Sequence, residues 1–212
     1  MEQKILSVLE MREADAYTIA NHTDGRELMR RAGEAIFQLV EQEKSWRGKI
    51  AIVCGSGNNA GDGYVLASRL FDIGNPPLLI LLKEKFSKEG KYYFDLCREK
   101  GIEYILYSED TELGGFDIIV DCIYGTGFQG ELKKEVAELI RKINASSAYI
   151  ISADINSGMN GDSPNCELCV RSDLTVSIGF LKIGQVGEEA KRHMKKLCLA
   201  KIGIMQPPLK TS

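Results

Sequence analysis

Apolar segments with almost no polar interruption alternate with helical segments along most of this chain. Strands are predicted at residues 49–54, 77–83, 102–107, 117–124, 147–154, 174–179 and 196–204. Strands that are apolar along their whole length are buried on both faces, and their alternation with helices requires a parallel sheet with helices on both sides. The sequence therefore predicts one α/β domain over residues 1–212, a Rossmann-like three-layer α/β/α sandwich. Two N-terminal helices would precede its mostly parallel, doubly wound sheet.

The helices are predicted from apolar residues that recur at helical spacing. Helices are expected at residues 9–21, 26–43, 88–100 and 132–143. Another helix follows the first strand and carries Leu66, Leu70 and Ile73 on one stripe, which we expect to be buried. Gly74 is expected to end this helix, because glycine readily adopts the left-handed conformation found at helix C-termini.

Charge and apolar content argue against nucleic acid and membranes as partners. Lys and Arg number 27 against 30 Asp and Glu, for a net charge of −3. Nucleic-acid binding needs a basic patch, and acidic and basic residues are interspersed here. No apolar run reaches the ~20 residues of a membrane span, and the N-terminal segment is unlike a signal peptide. We therefore expect a cytoplasmic protein that binds neither nucleic acid nor membrane.

Two of the six cysteines form a single C-x-x-C pair, Cys166 and Cys169. A zinc site would need a second pair or nearby histidines, and the only histidines are His22 and His193. We therefore interpret the pair as structural, with a redox role as the alternative.

The loop after the first strand, GSGNNAGDG, has the spacing of a nucleotide phosphate site. Gly55, Gly57 and Ala60 match G-x-G-x-x-G/A between a strand and a helix. Backbone N–H groups at a helix N-terminus bind anions. An ordinary NAD site would also place an acidic residue at the end of the second strand. That strand ends at Lys83 and Glu84 follows slightly late, so the loop predicts a phosphate cradle rather than a dehydrogenase.

Two more loops of the same kind follow the fourth and fifth predicted strands. They read DCIYGTGFQGE at residues 121–131 and SADINSGMNGD at residues 152–162. In a doubly wound sheet of order 3-2-1-4-5, ligands bind in the crevice between the carboxyl ends of strands 1 and 4. One such loop is ordinary turn chemistry, but three at one edge of the sheet predict a binding site.

These loops also carry a resemblance to a known family. GSGNNAGDG resembles the G-x-G-N-N-G-G-D-G signature of the YjeF N-terminal domain family, whose enzymatic members are NAD(P)H-hydrate epimerases. DCIYGTGFQGEL is similar to its D-x-x-F-G-T-G segment, and SADINSGMNGD to its V-D-I-P-S-G-x-x-x-D segment. TVSIGFLKIG and LMRRAGEA match two further motifs, so the resemblance covers nearly the whole chain. Ala60 replaces a glycine and Asn156 a proline, and neither change removes a reactive side chain.

The resemblance implies an enzyme that interconverts the R and S forms of hydrated NADH or NADPH, called NADHX and NADPHX, at nicotinamide carbon 6. This carbon is a hemiaminal, which can racemise by loss and return of water or by ring opening and closure. Either route needs a proton carrier. Asp154 matches the family's acidic residue and is the catalytic candidate. Its alternative is a turn-capping Asp. Because we expect Asp154 to be an exposed residue at a strand end, its replacement by Asn should change stability by no more than about 1 kcal/mol.

The resemblance further implies a set of binding residues and a potassium ion. Asn59, Asp121 and Ser157 match the potassium positions, and their oxygens suit a hard cation. Asp121 could instead satisfy loop N–H groups, and Asp62 could simply cap the N-terminus of the following helix. The implied substrate-binding residues are Asn58, Asn59, Ala60, Gly61, Asp62, Gly125, Thr126, Gly127, Phe128, Gln129, Gly130, Glu131 and Asp154.

The family's partner is a separate ATP- or ADP-dependent dehydratase that repairs the hydrate. Because no kinase-like domain follows the last strand, we expect the stand-alone epimerase. The two N-terminal helices are expected to form a homodimer surface or to cover the site. Two other classes are possible: a non-catalytic nucleotide-binding or dimerisation module of the same fold, and an NAD-dependent oxidoreductase. The polar site residues argue against the first, and the missing ribose acid argues against the second.

Overall fold

The computed structural model describes residues 4–163 and 165–208, in which helices and strands alternate as the sequence predicts. The helices are α1 (Val8–Asn21), α2 (Gly25–Glu43), α3 (Asn58–Asp72), α4 (Lys88–Glu99) and α5 (Lys134–Ala145). The strands are β1 (Ile5–Leu6), β2 (Ile50–Cys54), β3 (Leu78–Leu81), β4 (Tyr104–Leu106), β5 (Ile118–Cys122), β6 (Tyr149–Ala153), β7 (Ser172–Ile178), β8 (Leu181–Lys182) and β9 (Met194–Ala200).

Among the described residues, seven strands form one sheet in the order β4-β3-β2-β5-β6-β7-β9, and every neighbouring pair is parallel. The predicted α/β class and the predicted order of the first five sheet strands are therefore confirmed. The register places Asp121 of β5 beside Val53 of β2 and Ser152 of β6. A second ladder joins β1 to β8, with Leu6 paired to Lys182.

Helices cover both faces of this sheet, as a three-layer sandwich requires. Helices α2, α3 and α4 pack on one face and α5 packs on the other. Leu66 and Leu70 are buried as predicted, but the prediction for Ile73 is wrong because its side chain is 47% exposed. Helix α3 ends at Asp72, so Ile73 is the C-cap and Gly74, with φ of 81°, turns the chain away. No helix of the described ranges has the length and apolar character needed to cross a membrane.

Capping side chains start the two N-terminal helices one residue earlier than predicted. The Ser7 hydroxyl accepts the Glu10 N–H, and the Glu10 carboxylate accepts the Ser7 N–H at 2.8 Å. This reciprocal capping box satisfies two N–H groups that the helix itself leaves unpaired. The Asp24 carboxylate caps α2 by accepting the N–H groups of Arg26 and Glu27.

Distant parts of the chain hold α1 at both ends. At its start, β1 pairs with β8, and the Val8 N–H donates to the Asp162 carboxylate at 2.7 Å. Near its end, the buried Thr18 hydroxyl accepts the Met205 N–H at 2.8 Å. These contacts fix α1 across the carboxyl edge of the sheet, where its side chains reach the loops that follow β2 and β5.

Candidate active site

An open cavity of about 660 Å³ lies at the carboxyl ends of β2 and β5. Its walls come from the N-terminus of α3, the loop after β5 and Asp154, which directly follows β6, while α1 and α2 close one side. The structure therefore brings together residues from all three loops that the sequence singles out. The predicted site residues that line the cavity are Asn58, Asn59, Asp62, Gly125, Thr126, Gly127, Phe128, Gln129 and Asp154.

Four predicted substrate residues lie outside the cavity lining. Ala60 and Gly61 are buried in the first turn of α3, and a Cβ on Gly61 would come within 2.3 Å of the Met29 sulfur. Gly61 thus allows α3 to pack closely against α2. The φ angle of Ala60 is not positive, which explains why alanine is tolerated in place of glycine. Gly130 and Glu131 are exposed.

The N-terminus of α3 is built to approach a ligand closely. Gly57 is its N-cap and provides no side chain, so N–H groups of the first turn are available to an anion. Position 55 must be a glycine, because a Cβ there would lie 2.0 Å from the Ile123 carbonyl oxygen. The alternative role of Asp62 as the N-cap is wrong, since α3 begins four residues before it.

Asp154 lies at the floor of the cavity in an unusual backbone conformation. Its φ of 66° is the only positive value for a non-glycine residue in the described ranges. One carboxylate oxygen accepts the N–H and hydroxyl of Thr126 at 2.9 and 2.6 Å, and the other accepts the ammonium of Lys182. The side chain is 15% exposed, so the expectation of an exposed Asp is wrong.

Lys182 is the partner that sequence reasoning missed. Its side chain is fully buried, and its ammonium also donates to the Ser177 hydroxyl at 3.1 Å and the Ile178 carbonyl at 2.9 Å. Burial by itself raises the pKa of Asp154, but Lys182 and the hydrogen bonds from Thr126 outweigh it, and the pKa lies below its usual value. The motif TVSIGFLKIG contained Lys182 without indicating that a charged side chain would be buried.

Burial and the charge of Asp154 raise the pKa of two further carboxyl groups in the cavity. Burial raises the pKa of Asp15 to about 6, and the negative charge of Asp154 adds to the rise. Burial likewise raises the pKa of Asp62 well above its usual value, with a further contribution from Asp154. The site thus combines an ionised carboxylate with carboxyl groups that hold protons more tightly, which is the arrangement that separates bases from acids. Asp15 comes from α1, and no sequence motif pointed to it.

Asn59, Asp121 and Ser157 meet around the backbone of Tyr124. The fully buried Asp121 accepts the Ser157 N–H at 2.8 Å and the Ile123 N–H at 3.2 Å, so it does satisfy loop N–H groups. Burial nevertheless raises its pKa. The Asn59 amide donates to the Tyr124 carbonyl at 2.9 Å, while its buried Oδ1 has no hydrogen-bond partner among the described residues. The Asn59 Oδ1, which lacks a donor in the described ranges, and the buried Asp121 carboxylate are linked through Tyr124 and Ser157, and oxygen donors of this kind fit a hard cation.

The parallel sheet, with its cavity at the carboxyl edge and a glycine-rich turn into α3, defines a Rossmann-like α/β protein. Within that class, residues 25–184 match the family model described as YjeF-related protein N-terminus. The chain belongs to this family. The predicted resemblance is therefore confirmed.

Several curated proteins resemble the chain. The NAD(P)H-hydrate epimerase of Oenococcus oeni is 29% identical over 184 residues, which cover 85% of this chain and 87% of that protein. The NAD(P)H-hydrate epimerase of Rhodopirellula baltica is 32% identical, and the match covers 84% of this chain and 75% of that protein. The bifunctional NAD(P)H-hydrate repair enzyme Nnr of Archaeoglobus fulgidus is 32% identical, but this chain spans 37% of its length.

A solved structure shares the fold. The crystal structure of yeast YNL200c superposes with a TM-score of 0.74 at 22% identity. The match covers 86% of this chain and 83% of the yeast chain. The Rossmann-like architecture is therefore that of a known structure.

Proposed function

We propose that this chain is an NAD(P)H-hydrate epimerase that interconverts the R and S forms of NADHX or NADPHX at nicotinamide carbon 6. The observation that carries the proposal is the buried ion pair of Asp154 and Lys182 at the floor of a cavity that begins at a helix N-terminus. The names of the Oenococcus and Rhodopirellula relatives agree with it. An ionised carboxylate and an anion site on one cavity suit a substrate with a diphosphate at one end and a hemiaminal at the other.

The dinucleotide would bind with its diphosphate at the N-terminus of α3. The free N–H groups of that first turn supply hydrogen bonds and the positive end of the helix dipole. The opposite wall is the loop after β5, where the rings of Tyr124 and Phe128 stack at 4.8 Å. Arg12 of α1 also lines the cavity and adds a positive charge for the phosphates.

Asp154 would carry the proton between the two faces of carbon 6. Lys182 and Thr126 hold its carboxylate ionised and oriented, so it can accept a proton from the hydroxyl group or the water that returns. Asp15 and Asp62, whose pKa values are raised, would donate a proton to the leaving oxygen in water loss or to the ring nitrogen in ring opening. This division of acid and base serves both water loss and ring opening, and such proton transfer contributes roughly 10²–10⁴-fold to a rate.

A potassium ion would be held by Asn59, Asp121 and Ser157. Two observations support this assignment: Asn59 Oδ1 has no hydrogen-bond partner within the described part of the chain, and the Asp121 carboxylate is buried. When bound, the ion supplies a fixed positive charge beside the N-terminus of α3. The three residues themselves fix the Tyr124 backbone, and with it the loop that forms one cavity wall.

The functional partner would be an ADP- or ATP-dependent dehydratase that consumes one epimer. Bifunctional repair enzymes such as that of Archaeoglobus fulgidus support the pairing. A homodimer and a cytoplasmic location stay predictions from the resemblance and from the composition.

The test is direct measurement of epimer exchange. Purified R epimer is incubated with the protein and followed by chromatography or proton NMR, with the spontaneous rate subtracted. We expect exchange well above the spontaneous rate and no change in reduced-cofactor absorbance. Exchange at the spontaneous rate, with dinucleotide binding retained, would favour the non-catalytic module. In a separate incubation of the protein with NADH or NADPH and a candidate substrate, a change in reduced-cofactor absorbance would favour an oxidoreductase.

A further inference from the structure

Three side chains with metal-binding atoms lie together outside the cavity. The sulfurs of Cys166 and Cys169 are 2.9 Å apart, and the Cys166 sulfur is 3.4 Å from Nε2 of His193. All three atoms lie within 4.8 Å of one another. Cys166 and His193 are half-buried and Cys169 is buried, so the group is reachable from one side.

The fold supplies the histidine that the sequence did not place near the cysteines. His193 lies 27 residues after Cys166 and directly precedes β9. β9 is the neighbour of β7, and the Ser172 N–H at the start of β7 donates to the His193 carbonyl at 2.9 Å. The ladder therefore brings the end of the cysteine segment and the start of β9 to the same edge of the sheet.

We propose that Cys166, Cys169 and His193 bind a zinc ion. Tetrahedral zinc, with bonds of about 2.3 Å to sulfur and about 2.0 Å to nitrogen, sets sulfur–sulfur and sulfur–nitrogen separations of about 3.8 and 3.5 Å. The observed sulfur–nitrogen distance of 3.4 Å already matches. The two sulfurs must separate by less than about 1 Å, which small side-chain rotations provide. Two thiolates and one imidazole are soft donors that select zinc over calcium or magnesium.

Zinc takes its cysteine ligands as thiolates and its histidine ligand as a neutral imidazole. Binding releases the thiol protons to solvent, and the two thiolates balance the charge of the ion. A water molecule would complete the tetrahedral coordination.

The ion would fasten the segment that supports Ser157. The Val170 N–H donates to the Ser157 carbonyl at 2.9 Å, and a Cβ on Gly158 would lie 2.9 Å from the Cα of Cys169. A metal on Cys169 would therefore restrain the backbone directly behind Ser157, the residue that holds Asp121. Its role is structural, because the three ligands are not among the residues that line the cavity.

The experiment titrates the 212-residue chain with metal alone. The protein is purified under a phosphine reductant, freed of metal by dialysis against a chelator, and titrated with Zn²⁺ or Co²⁺. We expect one equivalent of bound metal, a thiolate-to-cobalt charge-transfer band with the ligand-field bands of tetrahedral cobalt, and a higher melting temperature with zinc. Cys166→Ser and His193→Gln should lose all three signals.

Matched controls keep this test specific. Cys198→Ser removes a half-buried thiol outside the group, and His22→Gln removes the other histidine. Both should bind like the parent. Binding by Cys166→Ser that equals the parent, or no stoichiometric binding by the reduced parent, would overturn the proposal. A Cys166–Cys169 disulfide in air-exposed protein, together with no metal binding after reduction, would overturn it in favour of a redox pair. No readout depends on epimer exchange, so the result is independent of the proposed function.

Discussion

The ammonium of Lys182 and the carboxylate of Asp154 form an ion pair in which the lysine side chain is fully buried and the aspartate side chain is 15% exposed. The pair joins β8 to the residue that follows β6. A buried charge that loses its partner is strongly destabilising, because neither water nor another group replaces the lost interaction. The group proposed to move the proton is therefore also part of what holds this edge of the sheet together.

Replacement of Lys182 by methionine should impair both stability and activity. The free energy of unfolding should fall by about 3 kcal/mol, the lower end for a broken buried pair, because the cavity lets water reach Asp154. The pKa of Asp154 should rise, so the pH at which exchange is fastest should move upward. Urea denaturation and a pH–rate profile measure these effects. Lys196→Met is the control, since its ion pair with Glu43 is half-exposed. An unchanged profile in Lys182→Met would show that the lysine does not tune the carboxylate.

Asp154→Asn should separate binding from exchange. Asparagine tolerates the left-handed backbone at this position, so dinucleotide binding should change little while the exchange rate falls by roughly 10²–10⁴-fold. Because Lys182 is left without a counter-charge, we expect a stability loss of about 3 kcal/mol. The limit of about 1 kcal/mol expected for an exposed Asp would then be exceeded. Epimer chromatography and thermal melting provide the measurements, with Asp72→Asn as a surface control. Exchange at the parent rate would assign the proton to another group, with Asp62 tested next.

Asp15 should make stability depend on pH in an identifiable window. Its pKa is raised from 3.8 to about 6 in the folded chain. The folded state therefore binds this proton more tightly than the unfolded chain, and stability should decrease as pH rises through that interval. Asp15→Asn removes this dependence, so the variant should gain stability relative to the parent as pH rises. Melting temperatures measured across the interval test the sign, with Asp95→Asn as control because Asp95 is half-exposed on the surface of α4 and pairs with Lys91. Parallel curves for parent and Asp15→Asn would contradict it.

Gly55→Ala should disrupt the approach of the first loop to β5. The added Cβ would lie 2.0 Å from the Ile123 carbonyl oxygen, a backbone atom that cannot rotate away. We expect a loss of about 1–3 kcal/mol in unfolding free energy and weaker dinucleotide binding. Gly115→Ala is the control, because no atom lies within 4 Å of its added Cβ. Equal stability of the two variants in chemical denaturation would show that the loop adapts.

Potassium should raise the melting temperature relative to a bulky organic cation at equal ionic strength. The effect should disappear in Asn59→Ala, which removes the oxygen that lacks a hydrogen-bond donor. Asn58→Ala removes the neighbouring amide, which is exposed, and should respond like the parent. Equal melting in both salts for the parent would argue against the ion site.

The sequence predicts the sheet well because each apolar strand carries its own signal. Strand order and the position of the crevice follow from general rules of parallel sheets, and the glycine-rich loops identify the family. Ile73 shows the limit of helical periodicity as a predictor. It fits the spacing of the buried stripe, but the helix ends at Asp72 and the spacing does not indicate this end. Asp62 similarly cannot cap α3, because the helix already begins at Asn58.

The contacts that could not be predicted join residues far apart in sequence. A lysine in TVSIGFLKIG resembles any surface lysine until β8 places it beneath Asp154. His193 becomes a neighbour of Cys166 only through the pairing of β7 with β9. Asp15 enters the site because α1 lies across the sheet edge, and the spacing of residues within α1 does not indicate that crossing.

The anchoring of α1 has a consequence for how a dinucleotide enters. The Val8–Asp162 and Thr18–Met205 hydrogen bonds clamp the helix at both ends, and the β1–β8 ladder ties its base to the strand that bears Lys182. A helix held at both ends in this way would stay in place when a ligand binds. The opening beside α1 would then have a fixed width. Bulkier nucleotides should therefore fail to enter the cavity, because α1 does not move to accommodate them.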